Sequence, residues 1–464
     1  MTRQFEAIVI GSGQAGPPLA VRLARSGLKT ALIEREHLGG TCVNDGCIPT
    51  KTLVASARVA QMARRAAEYG VGIGGAVSVD MAAVKARKDR IVQASLDSLA
   101  AWIGGTPDLT LVWGSARFTG PHEVAVGNQR LSAPRIFINT GGRPLVPDWP
   151  GLAGMPYLTN TSMMAMDRVP DHLIVVGGSY IGLEFAQMYR RFGARVSVLE
   201  MADRLIARED PDVSDTLREI LEAEGIACHL GVRDVAVAQH DGGIRLDAAL
   251  GSGPISVSGS HLLLSVGRRP NVEDLDLAAA GVTLDARGYI EVDDQLRTSA
   301  EGIWALGDVN GRGAFTHTSY NDYEIVAANL LDNDPRRVSD RIPAYALFTD
   351  PPLGRVGMTE AEARATGRPV LKGHLPMTRV GRARERGETQ GFMKVLVDRE
   401  TKLILGAALL CVEGDEIVHS LLDVMAAKAP CTVIQRSMHI HPTVSELIPT
   451  MLGDLHPLDQ AAGA

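Results

Sequence analysis

Two of the five cysteines in this 464-residue chain stand close together in the stretch GGTCVNDGCIPTK, residues 39–51. Four residues separate Cys42 from Cys47, and Pro49 and Lys51 follow at once. Thiols at that spacing can form a structural bridge, half of a metal clip, or a dithiol that cycles through a disulfide. A structural zinc site takes about four ligands, often as two closely spaced pairs. Cys228, Cys411 and Cys431 stand alone in apolar or helix-like surroundings and read as small buried residues, so no resident metal is expected. The redox reading fits better. CIPTKTLVASARVAQMARRAAEYG reads as a helix starting near Cys47, which would set that thiol at the positive end of the helix dipole with Lys51 nearby. Both effects favour its thiolate. The thiols are then unequal, one poised at the helix start and the other freer to attack.

A cycling dithiol needs an electron source, and the flanking sequence supplies two phosphate cradles. EAIVIGSGQAGPPLAVRLARSGLKTALIE reads as strand, Gly-rich turn, helix and strand, with Gly11, Gly13 and Gly16 in the turn. Glu34 follows Gly16 by 18 residues, near the ~20 at which a carboxylate accepts the ribose hydroxyls of a dinucleotide. Pro17 and Pro18 fit the first turn of the helix, whose N–H groups have no intrahelical partners. The pattern returns in DHLIVVGGSYIGLEFAQMYRRFGARVSVLE. There Gly177 and Gly182 are in place, Ser179 replaces the middle glycine, and Glu200 lies 18 residues past Gly182. A carboxylate at Glu200 disfavours a 2′-phosphate and points to NADH, although Arg204 and Arg208 leave NADPH open. Two such sites call for FAD held permanently and a nicotinamide cofactor that exchanges.

The bulk properties agree with a globular α/β enzyme of several domains. The chain is 45% hydrophobic and 22% charged, and its length exceeds one ordinary core. A net charge of -7 argues against a nucleic-acid partner. No apolar run approaches the ~20 residues that span a bilayer, so no membrane partner is expected. MTRQFEAIVIGSG moves straight into a strand without the pattern of a secretory signal, which places the expected location in the cytoplasm.

At this point the chain resembles the class I pyridine nucleotide–disulfide oxidoreductases, the family of dihydrolipoamide dehydrogenase, glutathione reductase and mercuric reductase. The resemblance runs along nearly the whole sequence. GGTCVNDGCIPTK is similar to the redox segment, VVGGSYIGLEF to the nicotinamide turn, and VGRRPN (266–271) to the domain-junction signature. IWALGDVNG is similar to the second flavin segment, FTDPPLGRVGMTE to the start of the dimerisation domain, and HIHPTVSE to its histidine segment.

The resemblance implies two Rossmann-like dinucleotide-binding domains and a C-terminal α+β dimerisation domain. The expected division is FAD-binding in 1–150, NAD(P)-binding in 151–270, FAD-binding again in 271–340, and dimerisation in 341–464. Within it, residues 52–105 are expected to be largely helical and 380–390 to form a solvated face or hairpin loop. Implied FAD contacts are Gly11, Gly13, Gly16, Glu34, Gly40, Thr41, Lys51, Gly307 and Asp308. Implied nicotinamide contacts are Gly177, Ser179, Tyr180, Gly182, Glu200 and Gly267, with Tyr180 gating the pocket. The resemblance also implies that Cys47 faces the flavin, Cys42 exchanges with the acceptor, and Lys51 pairs with Glu184. His441 and Glu446 match a proton-shuttling dyad that reaches the site from the other subunit of a homodimer, while His439 reads as packing.

The acceptor is less specified. No cysteine follows Cys431, so the C-terminal thiols that deliver mercury in mercuric reductases are missing, and His441 stands where those enzymes usually carry tyrosine. GAFTHTSYNDYEIVAANLL (313–331) looks more like mercuric-reductase-like and reactive-chlorine-resistance flavoproteins than dihydrolipoamide dehydrogenase. The expectation is an NAD(P)H oxidoreductase acting on a disulfide or thiophilic oxidant. Alternatives are reduction of a metal ion (Hg or Cu) or a quinone in oxidative-stress defence, or a redox-sensing flavoprotein with little turnover.

Overall fold

The computed structural model describes residues 2–458; residues 459–464, the end of the expected dimerisation segment, lie outside them. Ala7–Ile10 is buried along its whole length and forms the centre of a five-stranded parallel sheet. The strand order is Ile303–Ala305, Ile136–Ile138, Ala7–Ile10, Thr30–Glu34, Leu109–Trp113. A second parallel sheet repeats this plan around His172–Val176, in the order Tyr157–Leu158, His261–Leu264, His172–Val176, Arg195–Glu200, Ile226–Leu230. Near-continuous apolar strands such as AIVI and HLIVV are what a sheet covered on both faces requires. In both sheets the chain departs in opposite directions on either side of the central strand, so each Gly-rich turn opens at a topological switch point.

The second sheet lies in sequence between two strands of the first, and the crossing is stapled by Gly142–Pro144 paired antiparallel with Arg268–Pro270. Each parallel sheet carries a small antiparallel meander, Ala116–Gly120 to Gln129–Ser132 in one case and Arg233–His240 to Gly253–Gly259 in the other. The C-terminal part is a six-stranded antiparallel sheet, Ala344–Leu347, Leu353–Gly357, Ile404–Leu410, Phe392–Asp398, Val370–Pro376 and His456–Pro457 in spatial order. Its face packs against the helices His419–Ala426, Thr432–Arg436 and Ile448–Gly453 through Leu421, Ile434, Ile448 and Met451.

The region 52–105 is largely helical, as expected: Cys47–Arg64 and Met81–Gly104 are helices, a short 3-10 turn at Ala66–Tyr69 follows the first, and the stretch between holds Gly70 and Gly75 in the left-handed region at φ 72° and 87°. Asp80 restarts the helix by accepting the Ala83 N–H at 3.0 Å. The Arg- and Glu-rich segment 380–390 lies in the hairpin connection between Val370–Pro376 and Phe392–Asp398, as expected, and also contains a short helix, Gly381–Glu385, because Val380 and Ala383 are buried in the C-terminal core. Its charges are used locally: Arg386 pairs with Glu388 and Glu413, and Glu388 also meets Arg58 on the cysteine helix.

A buried charge cluster fastens the second parallel domain to the C-terminal sheet. The Lys394 ammonium, fully buried, lies 2.9 Å from Asp210, 2.6 Å from Asp212 and 3.0 Å from Glu360. The three carboxylates gather as metal ligands would, and the lysine occupies their centre. Removing one partner of such a cluster strands the rest in a poorly solvated site. Lys394→Met should therefore cost about 3–5 kcal/mol of stability, seen as a lowered thermal midpoint; an unchanged midpoint contradicts a fastening role.

Candidate active site

Both Gly-rich turns open into one continuous cleft of about 2370 Å³. Single ligand pockets run to roughly 1,000 Å³, so this cleft has room for two dinucleotides. The turns are built alike. Gly11 lies at φ +99°, where a Cβ would stand 2.3 Å from the Asn139 carbonyl oxygen, and Gly177 lies at φ +110°, 2.4 Å from that of Ser265. Only glycine fits either place. A Cβ on Gly16 or Gly182 would strike the carbonyl oxygen of Gly11 or Gly177, so each helix starts directly over its strand. Ser179 stands just ahead of the helix Tyr180–Phe192 in extended backbone.

The two acids at the strand ends also brace their turns. Glu34 accepts the Ser12 N–H at 3.0 Å and hydroxyl at 2.5 Å on one oxygen, and the Glu36 N–H at 2.8 Å on the other. Glu200 accepts the Gly178 N–H at 2.5 Å and the Ala202 N–H at 2.7 Å. Both carboxylates line the cleft, as do Gly40, Thr41, Gly267 and Asp308. Burial pushes the Asp308 carboxyl up, and Arg268, 3.6 Å away, pulls it back. The chain therefore offers donors and a rigid backbone at both sites, a set that suits two pyrophosphate-bearing cofactors.

The thiols sit on the floor of this cleft. Cys42 lies in the short helix Gly40–Asn44, and Cys47 is the first residue of Cys47–Arg64, with Pro49 in its first turn. Interaction with Cys47, with burial, pushes the Cys42 thiol up. Interaction with Cys42 is the main influence lowering Cys47 to about 6; burial opposes it, while the Thr316 hydroxyl and the Lys51 charge assist. The Cys47 sulfur is 3.0 Å from Thr316 Oγ1. Lys51 lies 2.7 Å from Glu184, whose other oxygen accepts the Phe348 N–H at 3.0 Å, and the ammonium rests 4.4 Å from the centre of the Phe348 ring. The ion pair holds Lys51 one helical turn beyond Cys47.

Tyr180 also lines the cleft and meets the rings of Phe315 and Tyr345 edge-on, each at 5.7 Å. Burial raises its hydroxyl to about 12, so it stays neutral.

His441 and Glu446 pair at 2.8 Å, but they do not line this cleft in their own chain. The His441 side chain is 80% exposed and stands beside exposed Met438 and Ile440. His439 instead contacts the Ser445 carbonyl at 3.2 Å. Gly16, Gly182 and Gly307 shape the backbone behind the cleft without lining it. Thr316, Arg268, Tyr345 and Phe348 were not singled out from sequence. Their partners Cys47, Asp308, Glu209 and Lys51 lie 40 or more residues away, and nothing in the residue types marks such contacts.

Comparison with known proteins agrees along the whole chain. Residues 5–322 match the family model described as pyridine nucleotide-disulphide oxidoreductase, and residues 343–452 match the dimerisation domain of the same family. A probable pyridine nucleotide-disulfide oxidoreductase of Escherichia coli, RclA, is 36% identical over 452 residues, covering 96% of this chain and 97% of that protein. A dihydrolipoyl dehydrogenase of Thermus scotoductus is 32% identical and covers 96% of each chain. The solved structure of RclA, titled an HOCl-induced flavoprotein disulfide reductase, superposes with a TM-score of 0.88 at 35% identity, covering 97% of this chain and 99% of that one. A further structure of RclA is titled a Cu(II) complex.

In the dithiol form, the Cys47 thiolate should be present above about pH 6 and lost as pH falls through that value. Thr316→Val should move the midpoint, followed by far-ultraviolet thiolate absorbance, upward by about one unit. An unmoved midpoint would show that the hydroxyl does not hold the thiolate.

Proposed function

The chain belongs to the pyridine nucleotide-disulphide oxidoreductase family, and we propose that Cys42 and Cys47 are its redox disulfide, serving a small disulfide or thiophilic acceptor. It is an FAD-dependent enzyme of the NAD(P)H–flavin–disulfide type. The observation that carries the assignment is the thiol pair lining the cleft shared by both Gly-rich turns, with Cys47 at a helix start against Thr316. When bound, the flavin supplies the path for an electron pair between nicotinamide and disulfide. Gly11, Gly13, Gly16, Glu34, Gly40, Thr41, Gly307 and Asp308 would hold it, with Lys51 fixed by Glu184 beside its redox end. Gly177, Ser179, Gly182, Glu200 and Gly267 would hold the nicotinamide cofactor, and Tyr180 would cover its pocket between visits. Glu200, fixed by two backbone N–H groups, keeps a negative charge where a 2′-phosphate would lie, which supports NADH.

The thiol chemistry needs a base as well as the ionisation order, because Cys42 holds its proton at rest. Once a base takes that proton, the Cys42 thiolate attacks one sulfur of the acceptor disulfide, forming a mixed disulfide and expelling the first thiolate, which takes up the proton. The Cys47 thiolate then attacks Cys42, closing the internal disulfide and expelling the second. Two electrons leave the dithiol, and each expelled thiolate takes a proton. We assign that proton transfer to His441, oriented by Glu446 and delivered from a second copy of the chain, because the dyad is exposed and away from its own cleft. A homodimer in the cytoplasm, where thiols stay reduced, suits this cycle. Among the described residues no helix is long and apolar enough to cross a membrane.

A second reading takes a thiophilic metal ion as acceptor, one electron to each of two Cu(II) ions, and the copper complex of RclA favours it. The test is anaerobic titration with NADH followed by acceptor turnover. Wild type should develop a long-wavelength band that Cys47→Ala abolishes, and His441→Gln should lose about 100-fold or more of disulfide turnover. Absence of the band in wild type sinks the assignment. Full turnover in Cys42→Ser points to a quinone or oxygen reductase, and a band without turnover to a sensor.

A further inference from the structure

The aromatic corner around Tyr180 is tied to a buried ion pair that the thiol chemistry does not use. Glu209 lies between the strand Arg195–Glu200 and the helix Pro211–Ala223, and its fully buried side chain meets the C-terminal sheet. One of its oxygens accepts the Tyr345 hydroxyl at 2.6 Å, and the other meets Arg355 at 2.7 and 3.0 Å. Arg355, 1% exposed, also reaches Asp210 at 2.8 Å. Tyr345 and Arg355 are directly opposed across an antiparallel strand pair, so both side chains stand on one sheet face and converge on Glu209.

The Tyr345 ring stacks on Phe315 at 5.5 Å and 8°, and both rings present a wall to Tyr180. Tyr180 therefore rests in a corner with one wall anchored through a hydroxyl to a carboxylate that cannot move without stranding a buried charge. Arg355 meets only one oxygen of Glu209, so the Tyr345 hydroxyl is held in place by the other, buried oxygen, which it alone satisfies among the described residues.

We propose that Tyr345, anchored by Glu209, is a positioning residue that sets the resting place of Tyr180 and so controls entry of the nicotinamide cofactor. This rests on the reading of Tyr180 as the cover of that pocket. Tyr345→Phe keeps the ring, the stacking and the Arg355–Glu209 pair while freeing the anchor, so it should fold.

In stopped-flow reduction of the holoenzyme by NADH, the second-order constant should rise about three- to tenfold in Tyr345→Phe, as the loss of one hydrogen bond to a charged group allows. The thermal midpoint should fall by only a few degrees, as one buried carboxylate oxygen loses its partner, while the rate at which the pre-reduced enzyme reduces a disulfide should stay unchanged. In a Tyr180→Ala background, where the cover is already gone, the same substitution should change nothing. If Tyr180→Ala alters the constant but Tyr345→Phe leaves it unchanged or lower, the anchor proposal falls and the cover stands. An equal effect of Tyr345→Phe in both backgrounds also overturns it. If Tyr180→Ala has no effect, the cover reading fails and the anchor falls with it.

Discussion

The inequality of Cys42 and Cys47 is the constraint on which the rest of the molecule turns. Two identical thiols in identical surroundings would ionise together, and neither would be assigned to attack or to wait. The surroundings of this pair break that symmetry, pushing the Cys42 thiol up and the Cys47 thiol down. Each neighbouring feature supports the same asymmetry. The helix Cys47–Arg64 begins at the thiolate, Thr316 approaches it from a distant segment, and Lys51 adds its charge one turn on. Glu184 keeps Lys51 in place while contributing an opposing charge, so the thiolate is stabilised without being locked.

The fold places this pair where electrons can arrive. Duplicate parallel sheets give duplicate glycine turns, and the insertion of one domain into the other points both turns into one cleft. The Lys394 cluster and the Arg355–Glu209 pair then fix the second domain against the C-terminal sheet. Buried charges give less net stability than apolar packing would, yet they hold a single relative placement. A cleft built from three parts of the chain depends on that placement.

Much of this was legible in the sequence because it is local. The glycines of each turn, the acid 18 residues on, and the helix starting at Cys47 are all short-range consequences of residue type and spacing. The pairings of Lys51 with Glu184 and of His441 with Glu446 came from the family resemblance, and the side chains meet at 2.7 and 2.8 Å. What the sequence did not reveal is contact between remote segments. Thr316 lies 269 residues from the thiolate it bonds, and Tyr345 lies 136 from Glu209. The hairpin loop at 380–390 was legible from its charges, while its two buried anchors, Val380 and Ala383, and its short helix were not.

The central claim is that electrons from nicotinamide come to rest on Cys42 and Cys47. Its most direct test is to reduce the oxidised holoenzyme anaerobically with NADH, alkylate it without denaturation, and map the labelled peptides by mass spectrometry. The account predicts label on the 39–51 segment, foremost at Cys42, only after NADH is added. Label that does not depend on NADH, or that falls on Cys228, Cys411 or Cys431 instead, would contradict it.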